Sequence, residues 1–268
     1  MLSKFEKMSL KVCLIGTGNV AWHLANAFHQ VGIKVIEIYG RDENTTIELS
    51  NSINCNYVTD LNKITRQADI YLICINDDNI AEVAYDIKHC LPNNVTITHT
   101  SGSLSNDILK TIFVNYGVFW PLQTLTKGIN TDWSQIPIMI TSSNKKVELQ
   151  LTQLAGSISN NVSVINDNKR SKLHLAAVIA NNFSNHIYSL LEEYCKSTDL
   201  NFKDLIPLIS ETSNKLKMYS PSIIQTGPAI RNDQTTINKQ LKQLSDFPEL
   251  QKLYEFMTIN IKNKYNKQ

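Results

Sequence analysis

The sequence has no apolar run approaching the ~18 residues that a transmembrane helix needs, and no excess of either charge. Its first ten residues, MLSKFEKMSL, are too short and too polar for a signal peptide. With 26 basic and 24 acidic residues, the net charge of +2 gives no general field for nucleic acid or an anionic membrane. These absences predict a soluble cytoplasmic protein that binds neither.

Cysteine is scarce and lacks the spacing of a metal or redox site. The chain has five cysteines, an odd number, and no CxxC pair. Cys13 and Cys74 lie inside apolar runs, where cysteine behaves as a small hydrophobic residue. The sequence therefore predicts a reduced compartment, with no disulfide framework and no metal site.

Short β-branched runs alternate with helical patterns over the first 165 residues. LKVCLIG at 10–16 is apolar throughout and ends at glycine, as is typical of a buried parallel strand. The alternation predicts right-handed βαβ units and a doubly wound α/β sheet. Helical periodicity dominates after Asn166, interrupted by SPSIIQTGP. We therefore predict an α/β domain over 1–166 and an all-helical domain over 167–268.

The end of the first strand carries a glycine-rich turn, GTGNVA. Gly16 allows the tight turn out of the strand, Gly18 lets a pyrophosphate approach the backbone, and Ala21 lets the helix pack closely. The helix N-terminus offers unpaired N–H groups to the phosphates. This motif, between a strand and a helix, predicts a Rossmann domain whose phosphate loop also includes Thr17, Asn19 and Val20.

The end of the second strand indicates which dinucleotide is bound. Glu37 lies inside this strand, and no acid stands at its end to meet a ribose hydroxyl. Arg41 follows, where a cation can meet a 2′-phosphate, although it could also be an ordinary surface arginine. Asp42 could cap the next helix. We predict NADP in preference to NAD.

Two further loops follow the fourth and fifth strands, at the edge of the sheet where ligands usually bind. Asn76 ends ICIN, and Ser101, Gly102 and Ser103 follow THT. These serines could present hydroxyl and N–H groups near the nicotinamide, or a serine could cap a helix over 104–112. The two roles are compatible.

The stretch from Leu173 to Leu191 contains no Asp, Glu, Lys or Arg. At 100° per residue, His174, Asn181 and Asn185 fall on one stripe, which Asn182 flanks. The opposite face is apolar, and we expect it to be core. The polar stripe is either part of a binding site or a seam buried at a domain or subunit interface.

The segment QTGPAIRND offers a second polar loop. Thr226 can cap a helix that starts at Pro228, and Arg231 would lie in its first turn. A helix N-terminus beside Gly227 and an arginine suits a carboxylate or phosphate. A well-capped helix with a surface arginine is the alternative.

Four segments, HTSGS, GVFWPLQT, HLAAVIANNFSNH and QTGPAIRND, resemble a bacterial family of NADP oxidoreductases over nearly the whole chain. The layout is similar to the 6-phosphogluconate dehydrogenase-like superfamily, which includes pyrroline-5-carboxylate reductase, ketopantoate reductase and the β-hydroxyacid dehydrogenases. The resemblance implies a helical 6-phosphogluconate dehydrogenase C-terminal-like domain and an active site in the interdomain cleft. Its members often dimerise through the helical domain, so we expect a homodimer.

The resemblance also implies roles for single residues. The β-hydroxyacid dehydrogenases have a catalytic lysine in K-x-x-N-N, and Val178 stands at the lysine position here. His174 is the best remaining proton donor, while Asn182 and Ser101 would orient the reacting C=O or C=N group. The missing lysine leaves a non-catalytic NADP(H) sensor as the alternative. The residues expected to bind a small, anionic substrate are Asn181, Asn185, Gly227 and Arg231.

Overall fold

A computed structural model describes residues 10–265, so residues 1–9 and 266–268 lie outside it. Within this range one sheet has the strand order β3-β2-β1-β4-β5-β6-β7-β8, and only the β6–β7 pair is antiparallel. The strands are β1 Lys11–Ile15, β2 Lys34–Tyr39, β3 Asn56–Val58, β4 Ile70–Ile73, β5 Thr96–His99, β6 Tyr116–Pro121, β7 Ile138–Ser142 and β8 Val162–Val164.

Side chains of β1 alternate between two cores, one on each face of the sheet. Val12 and Leu14 belong to the core on one face, and Cys13 and Ile15 to the core on the other. All four are fully buried, as expected of a parallel strand covered on both sides. The predicted doubly wound α/β sheet is confirmed.

Helices cover both faces of this sheet. They are α1 Asn19–Gln30, α2 Glu43–Ile53, α3 Ile80–Ile87 and α4 Lys145–Gly156. The strand β1 has β2 on one side and β4 on the other, so the direction of winding reverses between β1 and β4. A ligand crevice forms outside the carboxyl ends of the strands at such a switch point.

The chain divides into two compact units, 1–178 and 179–268. The helix that follows the last strand belongs to the first unit, so the predicted division at 166/167 stays a prediction. The part of the chain described after β8 contains no strand, in agreement with the predicted all-helical region. Its α-helices are α5 Asp167–Ala177, α6 Ser184–Ser197, α7 Ile206–Lys215, α8 Gln234–Gln243 and α9 Pro248–Tyr265.

The stretch from Leu173 to Leu191, expected to be one continuous α-helix, is interrupted in its middle. A π-helical segment, Val178–Phe183, separates α5 from α6. Because π-helix has i→i+5 hydrogen bonds, each of its residues turns through less than 100°. The angular spacing that placed Asn181 and Asn185 on the stripe of His174 therefore does not apply. On the expected apolar core face, Ile179 and Phe183 are more than half exposed, whereas Ile187, Leu190 and Tyr194 are partly buried.

The helix expected to start at Pro228 begins six residues later. Residues 228–232 form turns, and α8 begins at Gln234. The side chain of Asp233, not Thr226, caps it by accepting a hydrogen bond from Thr236 N at 3.1 Å. Arg231 therefore precedes this helix. Across residues 10–265, none of the helices is both long and apolar enough to cross a bilayer.

Candidate functional site

A cavity of about 640 Å³ opens at the switch point between β1 and β4. Its volume lies in the range of cofactor and small-molecule sites. The structure brings all of the predicted cofactor-binding residues to its wall: Gly16, Thr17, Gly18, Asn19, Val20, Arg41 and Asn76. Thr100, immediately before the 101–103 segment, also lines it.

The phosphate loop requires glycine at its first position. Gly16 has φ +118°, a conformation that residues with a side chain rarely adopt, and a Cβ there would collide with the carbonyl oxygen of Cys74. A Cβ at Gly18 would meet no atom, so the space in front of this residue is open. Helix α1 begins directly after Gly18, and its first N–H groups can therefore face a phosphate.

Arg41 lines the cavity two residues after the end of β2, and the carboxylate of the neighbouring Asp42 is engaged elsewhere. The carboxylate of Asp42 accepts a hydrogen bond from Thr45 N at 2.8 Å and so caps α2. Hydrogen bonds from the backbone and side chain of Thr45 lower the pKa of Asp42. The cap places the positive end of the α2 dipole beside Arg41, and both favour a phosphate group.

Glu37 is turned away from the cavity. It is buried, and its Oε1 accepts a hydrogen bond from Thr65 N at 2.6 Å. Burial raises the pKa of this carboxyl, and the bond from Thr65 opposes the rise. Glu37 therefore has a structural partner inside the protein, and Arg41 is the charged residue after β2 that is free to meet the ribose end of the cofactor.

The serine loop, residues 101–106, follows β5, and Asp77 holds its first part by hydrogen bonds. Ser101 and Ser103 each donate a hydroxyl hydrogen bond to Asp77 Oδ2, at 2.7 and 2.6 Å. Ser101 Oγ also accepts from the backbone N–H groups of Ser103 and Leu104. A hydroxyl has one hydrogen and two lone pairs, so the hydroxyl of Ser101 is fully engaged within the protein.

The expected helix over 104–112 is wrong in length. A single 3₁₀ turn, Asn106–Leu109, stands there, and Ser105 caps it by accepting from Asp107 N at 3.1 Å. Ser101 accepts backbone hydrogen bonds in the turn that precedes this 3₁₀ turn. A serine therefore caps the element here, as the alternative proposed, but the serine is Ser105 and the element is a short 3₁₀ turn. Asp77 was not predicted as a functional residue, although it stands next to Asn76 in the NDD segment after β4.

His99, the last residue of β5, lies beneath the serine loop and is fully buried. Its Nδ1 accepts a hydrogen bond from Ser101 N at 3.2 Å, so Nδ1 carries no hydrogen. Burial, and next the charge of Arg170, lower the pKa of His99 to about 4. The imidazole is therefore neutral at physiological pH.

The other side of the serine loop is held by α5. Asp167 Oδ2 accepts from Ser105 Oγ at 2.6 Å and from Asn106 N at 2.8 Å. Arg170 is 1% exposed; it lies 2.7 Å from Asp167 Oδ1 and donates to the carbonyl of Leu104. Arg170 also donates to Thr141 Oγ1 at 2.6 Å, which ties α5 to β7.

His174 lies on the same face of α5, because residues at i, i+3 and i+7 share one side of a helix. Its ring centroid is 5.7 Å from that of Trp120, and a Cβ at Gly102 would come within 2.5 Å of His174 Cδ2. Among the residues that the structure describes, neither ring nitrogen of His174 has a hydrogen-bond partner. The predicted proton donor thus lies beside the serine loop with both nitrogens available.

The predicted substrate-binding residues belong to the second unit. Asn181, Asn182 and Asn185 are exposed, and Asn181 Nδ2 lies 3.5 Å from Asn182 Oδ1. Gly227 has φ +110°, and Arg231 is exposed near Asp233, whose pKa it helps to lower after the bonds from Thr236. Their roles stay predictions.

Two family models match the chain. The model described as "NADP oxidoreductase coenzyme F420-dependent" matches residues 11–102, and the "Domain of unknown function (DUF2520)" matches 136–261. The glycerol-3-phosphate dehydrogenase [NAD(P)+] of Staphylococcus epidermidis is 30% identical over 115 residues, 38% of this chain. That match spans about a third of the enzyme's length, 34%.

A solved structure from Bacteroides fragilis, described as a "putative NADP oxidoreductase", is 35% identical, with a TM-score of 0.90 over 95% of this chain and 98% of that chain. The chain belongs to this NADP oxidoreductase family. The prediction of an NAD(P)-dependent oxidoreductase that uses NADP is confirmed at the level of the family.

More distant structures share the fold of this NADP oxidoreductase. A Thermotoga maritima protein is 19% identical, with a TM-score of 0.70 over 94% of this chain and 97% of that chain. The pyrroline-5-carboxylate reductase of Coxiella burnetii is 13% identical, with a TM-score of 0.60 over 97% and 100%. The predicted distant relation to pyrroline-5-carboxylate reductase is confirmed at the level of the fold.

Proposed function

We propose that this oxidoreductase transfers a hydride between the nicotinamide of NADP and the C=O or C=N carbon of a small, anionic substrate. The observation that supports this best is the imidazole of His174, which is half-buried beside the serine loop. Neither of its ring nitrogens has a hydrogen-bond partner within residues 10–265. Such a group can give a proton to the oxygen or nitrogen that becomes basic as hydride arrives.

The residues of the site have distinct roles in this proposal. The phosphate loop binds the pyrophosphate, and His174 exchanges the proton. Asp77 holds the serine loop, so Ser101 acts by positioning the backbone rather than by giving up its own hydrogen. Asn182 orients the reacting group, and Asn181, Asn185, Gly227 and Arg231 bind the anionic substrate, as the resemblance implies.

The test is a turnover assay in which NADPH is mixed with a panel of keto acids and cyclic or open-chain imino acids. The proposal would be supported if NADPH absorbance fell with one class of these acids and stayed constant with the matched alcohols and amines. If the protein binds NADPH tightly but no compound of the panel oxidises it, the result would instead support a nucleotide sensor. Val178, which stands where the β-hydroxyacid dehydrogenases have their catalytic lysine, favours that alternative.

The preference for NADP over NAD is expected to depend on Arg41. Replacing Arg41 with alanine should weaken NADPH binding by about 1–3 kcal/mol and leave NADH binding nearly unchanged, because only NADPH has a 2′-phosphate for a charge-assisted contact. Titration of cofactor fluorescence measures both affinities. Equal affinities of the wild-type protein for NADPH and NADH would contradict this role.

We also propose a cytoplasmic homodimer in which the second copy covers apolar side chains of the helical unit. Leu208, Met218, Ile223, Phe256 and Ile259 are all more than half exposed there. Covering these side chains with a second copy would remove apolar area from water, which favours association. Sedimentation analysis should give twice the chain mass of 30.4 kDa. A monomer at micromolar concentration would contradict the proposal.

A further inference from the structure

The strap, residues 122–135, connects β6 to β7 and is fixed to the helix that follows the phosphate loop. His23 Nε2, buried on α1, donates to the carbonyl of Thr126 at 2.9 Å. Lys127 N donates to Asn19 Oδ1 at 3.1 Å, and Asn19 is the first residue of α1. Leu125 and Trp133 anchor the strap in the apolar core. The backbone of Lys127 is thus held beside the phosphate loop.

The cavity wall is short of positive charge for a ligand with a pyrophosphate and a 2′-phosphate. Its lining contains one cation, Arg41, and three carboxylates, Asp42, Glu82 and Asp86. Backbone N–H groups at the start of α1 contribute only a partial positive charge. A second full positive charge near the pyrophosphate would therefore strengthen binding considerably.

The Lys127 ammonium is the cation that the strap brings to this place. Its Nζ lies 2.8 Å from Glu48 Oε2 on α2. One turn before Glu48, Thr45 Oγ1 lies 3.2 Å from Thr17 Oγ1 of the phosphate loop. The backbone of Lys127 therefore contacts one phosphate-loop residue, while its ammonium lies next to a helix that contacts another.

We propose that Lys127 binds the pyrophosphate of NADP, exchanging Glu48 for the phosphate when the cofactor enters. This inference rests on the NADP binding of the proposed function. The exchange costs little, because the side chains of Lys127 and Glu48 are 38% and 62% exposed and such surface pairs are weak. A phosphate beside the N-terminus of α1 is the stronger partner, because the helix dipole fixes its position.

The test compares Lys127→Met with Lys145→Met, in which the lost lysine pairs with Glu148 of its own helix. NADPH and NADH are titrated against each variant at several salt concentrations. Lys127→Met should weaken both cofactors by the same factor, roughly 5- to 20-fold, since both contain the pyrophosphate. The salt dependence of binding should also become shallower, because one ion contact is lost. Lys145→Met should match the wild type.

A second variant tests the exchange itself. Glu48→Gln frees the ammonium without removing it, so NADPH should bind as tightly as to the wild type or a few-fold more tightly. Unchanged affinity in Lys127→Met, a loss confined to NADPH, or weaker binding in Glu48→Gln would each overturn the assignment to the pyrophosphate. A wild-type protein that binds neither NADPH nor NADH would refute the proposed function itself, and with it this inference.

Discussion

Replacing His174 with glutamine is expected to lower kcat by about 10²- to 10⁴-fold, the usual contribution of a general acid. Glutamine keeps polarity and similar length but cannot exchange a proton. The imidazole contacts Trp120 and Gly102 and has no hydrogen-bond partner among the described residues, so its replacement should cost little stability. The measurement is turnover with a substrate found in the panel, together with NADPH affinity and melting temperature.

The result separates catalysis from structure. A catalytic His174 predicts that NADPH affinity and melting temperature stay near wild-type values while turnover falls. Asn182→Ala, which removes the group expected to orient the substrate, should raise KM and lower kcat without affecting NADPH. If both variants mainly lower the melting temperature, with normal turnover per folded molecule, His174 and Asn182 have structural roles and the assignment is wrong.

Acidification is expected to destabilise the fold through His99, before the carboxylates contribute. The pKa of His99 is about 4 in the folded chain, against about 6.5 in an unfolded one. Between these values the unfolded state binds a proton that the folded state does not, so stability falls as pH falls. The full loss is about 3 kcal/mol, complete near pH 4.

Urea unfolding measured from about pH 7 down to pH 4.5 checks this slope. His99→Asn is the matched control, because an amide oxygen can accept the hydrogen bond from Ser101 N without titrating. The slope in this window should be shallower in the variant. Asp167 also has a lowered pKa: its burial acts to raise it, but the bonds from Ser105, Asn106 and Arg170 outweigh that effect. The stability that ionised Asp167 contributes is therefore lost only below about pH 4, outside this window. Parallel slopes for wild type and variant would exclude His99 as the source.

The strands, the phosphate loop and the position of Arg41 could be predicted because they depend on local pattern. An apolar run that ends at Gly16 specifies a buried strand and a tight turn without reference to distant residues. The cap at Asp42 is equally local, since donor and acceptor are three residues apart. These features therefore appear where the sequence places them.

Other parts of the site depend on contacts between distant segments. Arg170 lies in a charged stretch, DNKRSK, that looks like any solvated first turn, yet it is buried because Leu104 and Thr141 accept its hydrogens. Lys127 has no local signal either, since its partners lie 108 and 79 residues away. The π-helical segment could not be predicted, because one turn with i→i+5 hydrogen bonds leaves no clear mark in the hydropathy pattern.

The two ends of the sheet limit how this chain can associate. The outermost strands, β3 and β8, have three residues each, so each edge offers only a few unpaired N–H and C=O groups. A strand from another molecule would gain too few bonds there to offset the entropy of ordering it. Short edge strands of this kind protect an eight-stranded sheet against edge-to-edge polymerisation. Copies of the chain would therefore associate through their helices.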